Sequence, residues 1–491
     1  MMKKILAALA SLFLLVAAAG CSSVAKAEDI FNQTPNWAAC EGDGFQCATV
    51  KAPIDWDKPE GKTFDLSLIR KVTDKAIGSL VLNPGGPGGS GYDFLANNWA
   101  DIGTEELRSA YTYVSFDPRG VSRSSKVTCL NSKDTDHLLY DSNDAEWGSA
   151  KDLKLQRTEL KKFVDACKKN TGELLGNVDT VSAAKDLELI RTVLGESKLN
   201  YLGFSYGTFL GTTYASLFPE KVGRFVLDGA IDPRVPDEQQ SINQLAGFDL
   251  ALNNYLKDCV DNNIDCPFKG SFSSAKAEVK QFLLDMEQKD MSTSTDRKLT
   301  ISSATTGLIM ALYSDTYWQY LTQAFTEAKS GDGTTFLRLA DFYNDRQDDG
   351  SYQGNSLEAN IAVNCLDSRS SSKPEAMAAQ NAKLLAASPI LGRYWQNGAL
   401  TCEQWPYPVA EHPESYSAKG APTILVVGTT GDPATPYEQS VALAHEVLSD
   451  GFLITFEGEG HTAYGRSNEC VSSAVDDFLI RGKIPNKEPV C

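Results

Sequence analysis

The sequence has little positive charge and few histidines for its length of 491 residues. Its 46 lysines and arginines are outnumbered by 64 aspartates and glutamates, and the formal net charge is −18 at pH 7. We expect no nucleic-acid partner, because binding to phosphates requires a basic surface. The sequence contains four histidines and no Cys-x-x-Cys pair, which makes metal ligation a weak hypothesis. We therefore expect neither a metal nor a cofactor.

Internal repeats and low-complexity tracts are also missing from the sequence. Apolar residues make up 42% of the chain and charged residues 22%, which are ordinary values for a globular protein and exclude a disordered chain or a coiled coil. At this length we expect one large domain with a substantial insertion, or two domains. We also expect the protein to be a monomer.

An apolar run near the N-terminus has the layout of a secretory signal. Two lysines precede the run 5–19, which is too short and wrongly flanked for a membrane-spanning helix. We expect residues 1–27 to be a signal peptide and the protein to be exported. Cys21 stands in a pattern that resembles a bacterial lipoprotein box, so its lipidation would anchor the protein to the outer face of the membrane. The sequence AKA at 25–27 offers an ordinary cleavage site instead.

The remaining ten cysteines support export independently. An even number of cysteines in a secreted chain favours disulfides, although the spacing leaves many pairings open. We expect sequence neighbours to pair, because each such pair falls within one predicted structural region and local closure costs little chain entropy. The expected pairs are Cys40–Cys47, Cys129–Cys167, Cys259–Cys266, Cys365–Cys402 and Cys470–Cys491.

Strand-like and helix-like segments alternate in two separate stretches, 37–232 and 406–491. Residues 233–405 between them are rich in helix-like segments and hold four of the cysteines. The alternation predicts an α/β fold in which a mostly parallel sheet carries helices on both faces. We expect the inserted helical block to form a cap over the carboxyl edge of the sheet, where such sheets bind ligands.

The segment Gly203–Gly207 matches Gly-x-Ser-x-Gly, the nucleophile elbow of the α/β-hydrolase fold. It lies between a predicted strand, KLNYLGF, and a predicted helix, TFLGTTYASLF. The chemistry needs this context, because a sharp strand-to-helix turn lifts the serine hydroxyl out of the sheet edge and leaves room only for small flanking residues. A structural turn with a capping serine would give the same pattern. The context favours Ser205 as a nucleophile and the α/β-hydrolase fold for the chain.

A serine nucleophile needs a base and an acid that orients the base. In this fold the acid and then the histidine follow the serine along the chain. His461 lies in a loop just after a predicted strand and is the expected base. Asp432, after the apolar strand TILVVG, is the expected acid, and Asp228 is the alternative from an earlier strand. The other histidines, which we expect on the surface, are His137, His412 and His445.

The tetrahedral intermediate of acyl transfer also needs two N–H donors. One is expected from Tyr206, the residue after the nucleophile. The other is expected from the glycine-rich stretch 83–91, with Gly86 as the first candidate and Gly85 as the second. No Gly-Lys-Ser/Thr follows this stretch, so a phosphate-binding loop is not predicted.

Several segments together resemble one known family. In chain order they are NPGGPGGSG, FDPRG, LGFSYGTFLGTTYA, FPEKVGRFVLDGAIDP, NCLD, TCEQWP, GTTGDPATP and GEGHT. They are similar to the secreted tripeptidyl aminopeptidases of actinomycetes, which belong with the prolyl iminopeptidase group of α/β hydrolases and carry a TAP-like C-terminal domain. The resemblance runs from Trp37 to Cys491.

The resemblance implies a serine exopeptidase that removes short peptides from free N-termini, with a helical cap that restricts access. By position, the family's nucleophile, acid and base fall on Ser205, Asp432 and His461. One departure is in FDPRGVSRSS, where Ser122 stands in place of a common glycine. It concerns the conformation of a loop outside the expected triad.

Two other functions stay open. An esterase or amidase acting on small molecules or blocked peptides would use the same triad, and the family includes such members. A binding protein on an inactive hydrolase scaffold is the second alternative, although all three triad residue types are present. An aminopeptidase needs a carboxylate that holds the ammonium group of its peptide substrate. The candidates are Glu358 and Asp367, which flank the run IAVNC in the predicted cap.

Overall fold

A computed structural model describes residues 30–42, 44–143 and 145–491 of the chain. The predicted signal peptide 1–27, with Cys21 and the alternative cleavage site, lies outside the described residues. Within the described ranges, no helix is long and apolar enough to cross a membrane.

Among the residues that the structure describes, a nine-stranded sheet organises the fold. Its strands are β1 (Ala38–Ala39), β2 (Phe45–Pro53), β3 (Thr63–Lys71), β4 (Ser79–Asn83), β5 (Thr112–Phe116), β6 (Leu199–Phe204), β7 (Val222–Asp228), β10 (Ile424–Gly431) and β11 (Gly451–Glu459). A separate two-stranded sheet consists of β8 (Met291–Ser292) and β9 (Lys298–Leu299). The large sheet has the order β1-β2-β3-β5-β4-β6-β7-β10-β11. Pairing is antiparallel from β1 to β5 and parallel from β5 to β11, which confirms the predicted, mostly parallel sheet.

Helices cover both faces of this sheet. The α-helices are α1 (Gly91–Asn98), α2 (Glu105–Ala110), α3 (Ser132–Tyr140), α4 (Ala150–Thr171), α5 (Thr180–Val193), α6 (Tyr206–Leu217), α7 (Asp237–Asn262), α8 (Phe272–Gln288), α9 (Ile301–Leu312), α10 (Trp318–Ala328), α11 (Thr334–Tyr343), α12 (Ser356–Asp367), α13 (Pro374–Ala387), α14 (Tyr437–Ala442) and α15 (Glu469–Arg481). Successive side chains of a strand point to opposite faces. Val81 accordingly packs with α4, α5 and α6, whereas Leu80 and Leu82 pack with α1, α2 and α15.

Helices α7 to α13 lie between β7 and β10 in the chain, and we call them the helical insertion. Buried apolar side chains of these helices form a core of their own, with Phe248, Leu308 and Phe336 among them. The insertion packs against the carboxyl edge of the large sheet. A Cβ atom at Gly247 of α7 would lie 2.5 Å from the carbonyl oxygen of Pro433, in the loop that follows β10. Close contact between α7 and this loop therefore requires glycine.

Five disulfides link the cysteines of the described chain, and they join the pairs expected from sequence neighbourhood. The longest of these loops, Cys129–Cys167 and Cys365–Cys402, close 38 and 37 residues. A cross-link stabilises a fold mainly by restricting the unfolded chain, and more so when the loop is long. The bridge Cys365–Cys402 ties the end of α12 to the segment after α13, at the wall of the cavity described below.

Candidate active site

Ser205 occupies a strained turn between β6 and α6. Its backbone angles are φ 56° and ψ −125°, a conformation that side chains other than glycine rarely adopt. The N–H of Ser205 donates to the carbonyl oxygen of Asp228 on β7, which ties the turn to the neighbouring strand. A Cβ atom at Gly203 would lie 2.5 Å from the carbonyl oxygen of Gly207, so the tight turn requires the flanking glycines. The segment thus has the geometry of a nucleophile elbow.

The glycine-rich loop after β4 passes directly over this elbow. A Cβ atom at Gly85 would lie 2.9 Å from the Cβ of Ser205 and 3.1 Å from the backbone nitrogen of Tyr206. The N–H of Gly85 already donates to Oδ1 of Asn83, at 3.0 Å. This favours the N–H of Gly86 over that of Gly85 as the second donor beside Tyr206. Both Gly86 and Tyr206 line the same cavity.

His461 follows β11, and its ring contacts the carboxylate that follows β10. Nδ1 of His461 lies 2.9 Å from both carboxylate oxygens of Asp432. Asp432 is buried and also accepts hydrogen bonds from the backbone N–H groups of Ala434, Thr435 and Thr462 and from the Thr435 hydroxyl. These donors satisfy the carboxylate and fix its direction. The other ring nitrogen, Nε2 of His461, is buried and has no hydrogen-bond partner among the described residues.

Asp228, the alternative acid, supports the same histidine loop by a different contact. Its buried carboxylate accepts the backbone N–H groups of Ala463 and Tyr464, at distances of 2.7 to 3.0 Å. Burial raises the pKa of Asp228 to about 6, and the two N–H donors oppose this shift. The structure therefore brings Asp432 to the imidazole ring and Asp228 to the backbone two and three residues beyond it.

A cavity of about 690 Å³ lies between the sheet edge and the helical insertion. Asp367, at the end of α12, lines it and is buried. Its carboxylate accepts hydrogen bonds from the N–H and the hydroxyl of Thr180, at 2.8 and 2.5 Å. The Thr180 hydroxyl in turn lies 2.6 Å from the hydroxyl of Tyr206. Burial raises the pKa of Asp367 to about 7, and the Thr180 hydrogen bonds oppose this shift.

Glu358, the other expected ammonium anchor, lies apart from this cavity. It lines a different one, together with Lys126 and Asn131. Burial raises the pKa of Glu358, and Lys126 opposes this shift. Glu358 and Asp367 both belong to α12, yet only Asp367 borders the cavity that Gly86 and Tyr206 line. Glu358 is therefore not placed to hold the ammonium group of a substrate whose peptide bond reacts at Ser205.

The other histidines differ in position. His137 and His445 are exposed, as expected, and each contacts a carboxylate. His412 is instead half-buried in the wall of the cavity, where Nε2 bonds the carbonyl of Asp367 at 2.5 Å. No sequence pattern predicts this contact, because it depends on how the segment after the insertion folds back onto α12.

Two further contacts that sequence analysis did not predict hold the site together. The N–H of His461 donates to the carbonyl oxygen of Tyr313 at 2.8 Å, which ties the histidine loop to the helical insertion. The side chain of Asn360 on α12 donates to the carbonyl oxygen of Pro87 at 3.1 Å, which ties the glycine-rich loop to the insertion. Both acceptors are backbone atoms, so no residue-type pattern marks them.

Ser122 adopts a left-handed conformation with φ 41°, the region that the glycine it replaces favours.

Within the described part of the chain, no group of three or more histidine, cysteine, aspartate or glutamate side chains is arranged to hold a metal ion. The site consists of a strained serine, a buried carboxylate–histidine pair and two candidate N–H donors at one sheet edge. This set is suited to acyl transfer through a serine nucleophile.

Comparison with known proteins agrees with this chemistry. The TAP-like protein family matches residues 388–491, which include Asp432 and His461. Serine protease Hip1 of Mycobacterium tuberculosis is 35% identical over 486 residues, which cover 95% of this chain and 92% of that protein. Carboxylesterase B of the same species is 37% identical, over 90% of this chain and 85% of that protein. Tripeptidyl aminopeptidase of Streptomyces lividans is 30% identical, over 93% of this chain and 86% of that protein. The chain therefore belongs to the TAP-like family of α/β-hydrolase serine peptidases.

Proposed function

We propose that this protein is an exported serine exopeptidase that releases short peptides from the free N-termini of its substrates. The observation that carries the proposal is Asp367, a buried carboxylate in the cavity beside the nucleophile elbow, which forms no ion pair within the described chain. Relatives named as a serine protease and as a tripeptidyl aminopeptidase support it. Export is supported by the five disulfides, since such bonds persist in oxidising compartments.

In the proposed reaction, Ser205 attacks the carbonyl carbon of the scissile peptide bond. Nε2 of His461 takes the hydroxyl proton, and Asp432 stabilises the imidazolium that forms. The carbonyl oxygen becomes an oxyanion, which accepts hydrogen bonds from the N–H groups of Gly86 and Tyr206. His461 then donates its proton to the amine of the leaving chain, and the C–N bond breaks. Water, deprotonated by His461, then attacks the ester carbonyl, and His461 gives this proton to the oxygen of Ser205 as the C–O bond breaks and the N-terminal peptide is freed.

Asp367 is suited to receive the substrate ammonium for electrostatic reasons. Buried charges interact strongly because little water screens them, whereas an unpaired buried carboxylate is costly. Asp232 lines the same cavity, but Arg234 already binds both of its carboxylate oxygens. Asp237 also lines the cavity, and there its carboxylate accepts the hydroxyl of Ser370 while staying partly open to solvent. We therefore propose Asp367 as the anchor.

A second candidate function is an esterase or amidase that acts on small molecules or blocked peptides. The relative named carboxylesterase B favours it. Such an enzyme would use the same serine, histidine and acid, but it would gain nothing from a carboxylate in the cavity. The two functions therefore differ in how the enzyme treats the charge on a substrate's N-terminus.

We expect a tripeptide anilide with a free N-terminus to be hydrolysed far faster than its acetylated twin. A substrate without the ammonium leaves Asp367 buried and unpaired, a penalty of about 2–5 kcal/mol, which corresponds to roughly 30- to several thousand-fold in kcat/KM. Asp367→Asn is expected to shrink the ratio mainly by slowing the free-amine substrate. Asp237→Asn is the matched control, because it neutralises another acid of the same cavity. Equal rates on the two substrates would refute the exopeptidase and leave the esterase or amidase.

The same ratio is expected to depend on pH in a way that identifies the anchor. Asp367 becomes neutral as the pH falls through its pKa of about 7, so the preference for the free amine is lost on the acid side. A peptide amine loses its charge above a pKa of about 7.7–8.0, so the preference is also lost on the basic side. Ionisations of the triad act on both substrates and cancel in the ratio of their kcat/KM values. In Asp367→Asn the acid limb should be absent, and a persisting limb would assign the anchor to another residue.

A further inference from the structure

A group of aromatic side chains, some half-buried and some exposed, lies on the helical insertion beside the histidine loop. We call it the aromatic surface, and it consists of Tyr313, Tyr317, Tyr320, Phe342 and Tyr343. Tyr320, Phe342 and Tyr343 are 46%, 63% and 45% exposed. The ring centroids lie 6.0 Å apart for Tyr313 and Tyr343, and 6.4 Å apart from Tyr317 to both Phe342 and Tyr320. Contiguous exposed apolar rings of this kind mark interaction sites.

The aromatic surface is continuous with the candidate active site. The carbonyl oxygen of Tyr313 accepts the N–H of His461, and the two rings pack edge to face with centroids 5.8 Å apart. A Cβ atom at Gly460 would lie 3.1 Å from Cα of Ser314, so the segment after Tyr313 packs directly on the histidine loop. Tyr313 and Tyr343 also line the cavity. The surface therefore begins at the histidine and leads outward to solvent.

The chemistry of the reaction decides which part of a substrate would meet this surface. The histidine that takes the proton from the serine hydroxyl must then donate it to the amine of the leaving chain. That amine must lie within hydrogen-bond reach of Nε2 of His461 when the C–N bond breaks. The polypeptide that continues from the amine consequently leaves the site on the histidine side, whereas the acyl part lies toward the N–H donors at Gly86 and Tyr206.

We propose that the aromatic surface binds the leaving segment of the substrate, that is, the polypeptide on the C-terminal side of the scissile bond, and favours apolar side chains there. Its rings offer rigid apolar area, and its tyrosine hydroxyls offer hydrogen bonds to the backbone of an extended peptide. This inference rests on the proposed function, because only a peptidase has a leaving polypeptide. It adds a preference for peptides that continue for several apolar residues past the cleaved bond.

The test uses three substrates with the same free N-terminal tripeptide. One is its anilide, one continues as Leu-Phe-Leu, and one continues as Gly-Ser-Gly. The variants are Phe342→Ala, Tyr320→Ala and their combination. Ile264→Ala is the matched control, because Ile264 is 94% exposed but lies in the turn closed by the Cys259–Cys266 disulfide. Tyr320, Phe342 and Ile264 are all exposed, so the fold should tolerate the changes.

We expect the double variant to lose about five- to twentyfold in kcat/KM on the Leu-Phe-Leu peptide, as truncated aromatic contacts do elsewhere. Hydrolysis of the anilide should stay within about twofold, and Ile264→Ala should match the wild type on all three substrates. Equal losses on all substrates, or no loss on any, would overturn the inference. The proposed function fails separately, namely if the wild type hydrolyses the free-amine anilide and its acetylated twin at equal rates.

Discussion

Replacement of Ser205 by alanine is expected to remove nearly all turnover while the protein stays folded. Alanine keeps the Cβ atom, so the backbone strain at φ 56° is the same in the variant, and only the hydroxyl is lost. Triad residues act as a unit, so we expect Ser205→Ala and His461→Ala each to lower kcat by about 10⁴ to 10⁶. The measurement is hydrolysis of the free-amine anilide by each purified variant.

Labelling with a fluorophosphonate probe gives a second readout that does not depend on the substrate. The wild type should be labelled on Ser205, and Ser205→Ala should not be labelled. Ser241→Ala is the matched control, because Ser241 lines the cavity that Gly86 and Tyr206 border but lies in α7. It should keep both activity and labelling. Circular dichroism and thermal unfolding would show whether each variant is folded, and near-normal turnover by a folded Ser205→Ala protein would refute the serine mechanism.

The sequence was most informative where the structure depends on local pattern. The central strands are buried on both faces, so they are continuous apolar runs such as ILVV at the start of β10. Each run ends at the same sheet edge, which is why short motifs after β4, β6, β10 and β11 come together there. The disulfides were also predictable, because each one joins two cysteines that follow one another among the cysteines of the chain.

Residue types alone were less informative where side-chain direction or backbone contacts decide the outcome. Glu358 and Asp367 looked equivalent as candidate anchors, yet they are nine positions apart on α12. At about 100° per residue, this spacing turns them to opposite sides of the helix, so one cavity cannot hold both. The contact between Tyr313 and His461 uses a backbone carbonyl, and Tyr313 lies in a segment far from the histidine in sequence. Such contacts follow from tertiary packing and leave no local pattern.

Asp228 shows a further limit of sequence reasoning. It stands at the end of a strand next to the elbow, which is also where an acid partner would be expected. In the structure its carboxylate contacts the backbone of Ala463 and Tyr464, while its carbonyl accepts the N–H of Ser205. One residue thus links the nucleophile turn and the histidine loop. From the sequence, the residue type and its position at a strand end are known. Whether the carboxylate contacts the imidazole ring of His461 or the backbone of the loop that follows it is not.

Asp432→Asn is expected to lower kcat by about 10³ to 10⁴. The side chain would keep its place beside His461, but it would lose the negative charge that supports the histidine as a base. The carboxylate of Asp432 accepts from Nδ1 of His461 at 2.9 Å. An asparagine amide turned toward Nδ1 would favour the tautomer that cannot accept the proton of Ser205, and a neutral amide would no longer stabilise the imidazolium. The side-chain oxygen of asparagine could still accept the N–H groups of Ala434 and Thr435, which both donate to Oδ1 of Asp432.

Asp228→Asn is the matched control, since it makes the same isosteric change at a second buried carboxylate of the same sheet edge. Within the described residues, its side chain binds only backbone N–H groups, and Oδ2 accepts both of them, so the oxygen of asparagine can keep accepting them. We expect kcat to fall by less than about tenfold, as for a residue that positions a loop and does not touch the reacting atoms. Any difference from the wild type should shrink as the pH falls below about 6, where Asp228 of the wild type also becomes neutral. A loss of orders of magnitude in Asp228→Asn, with Asp432→Asn near the wild type, would move the acid of the triad to β7.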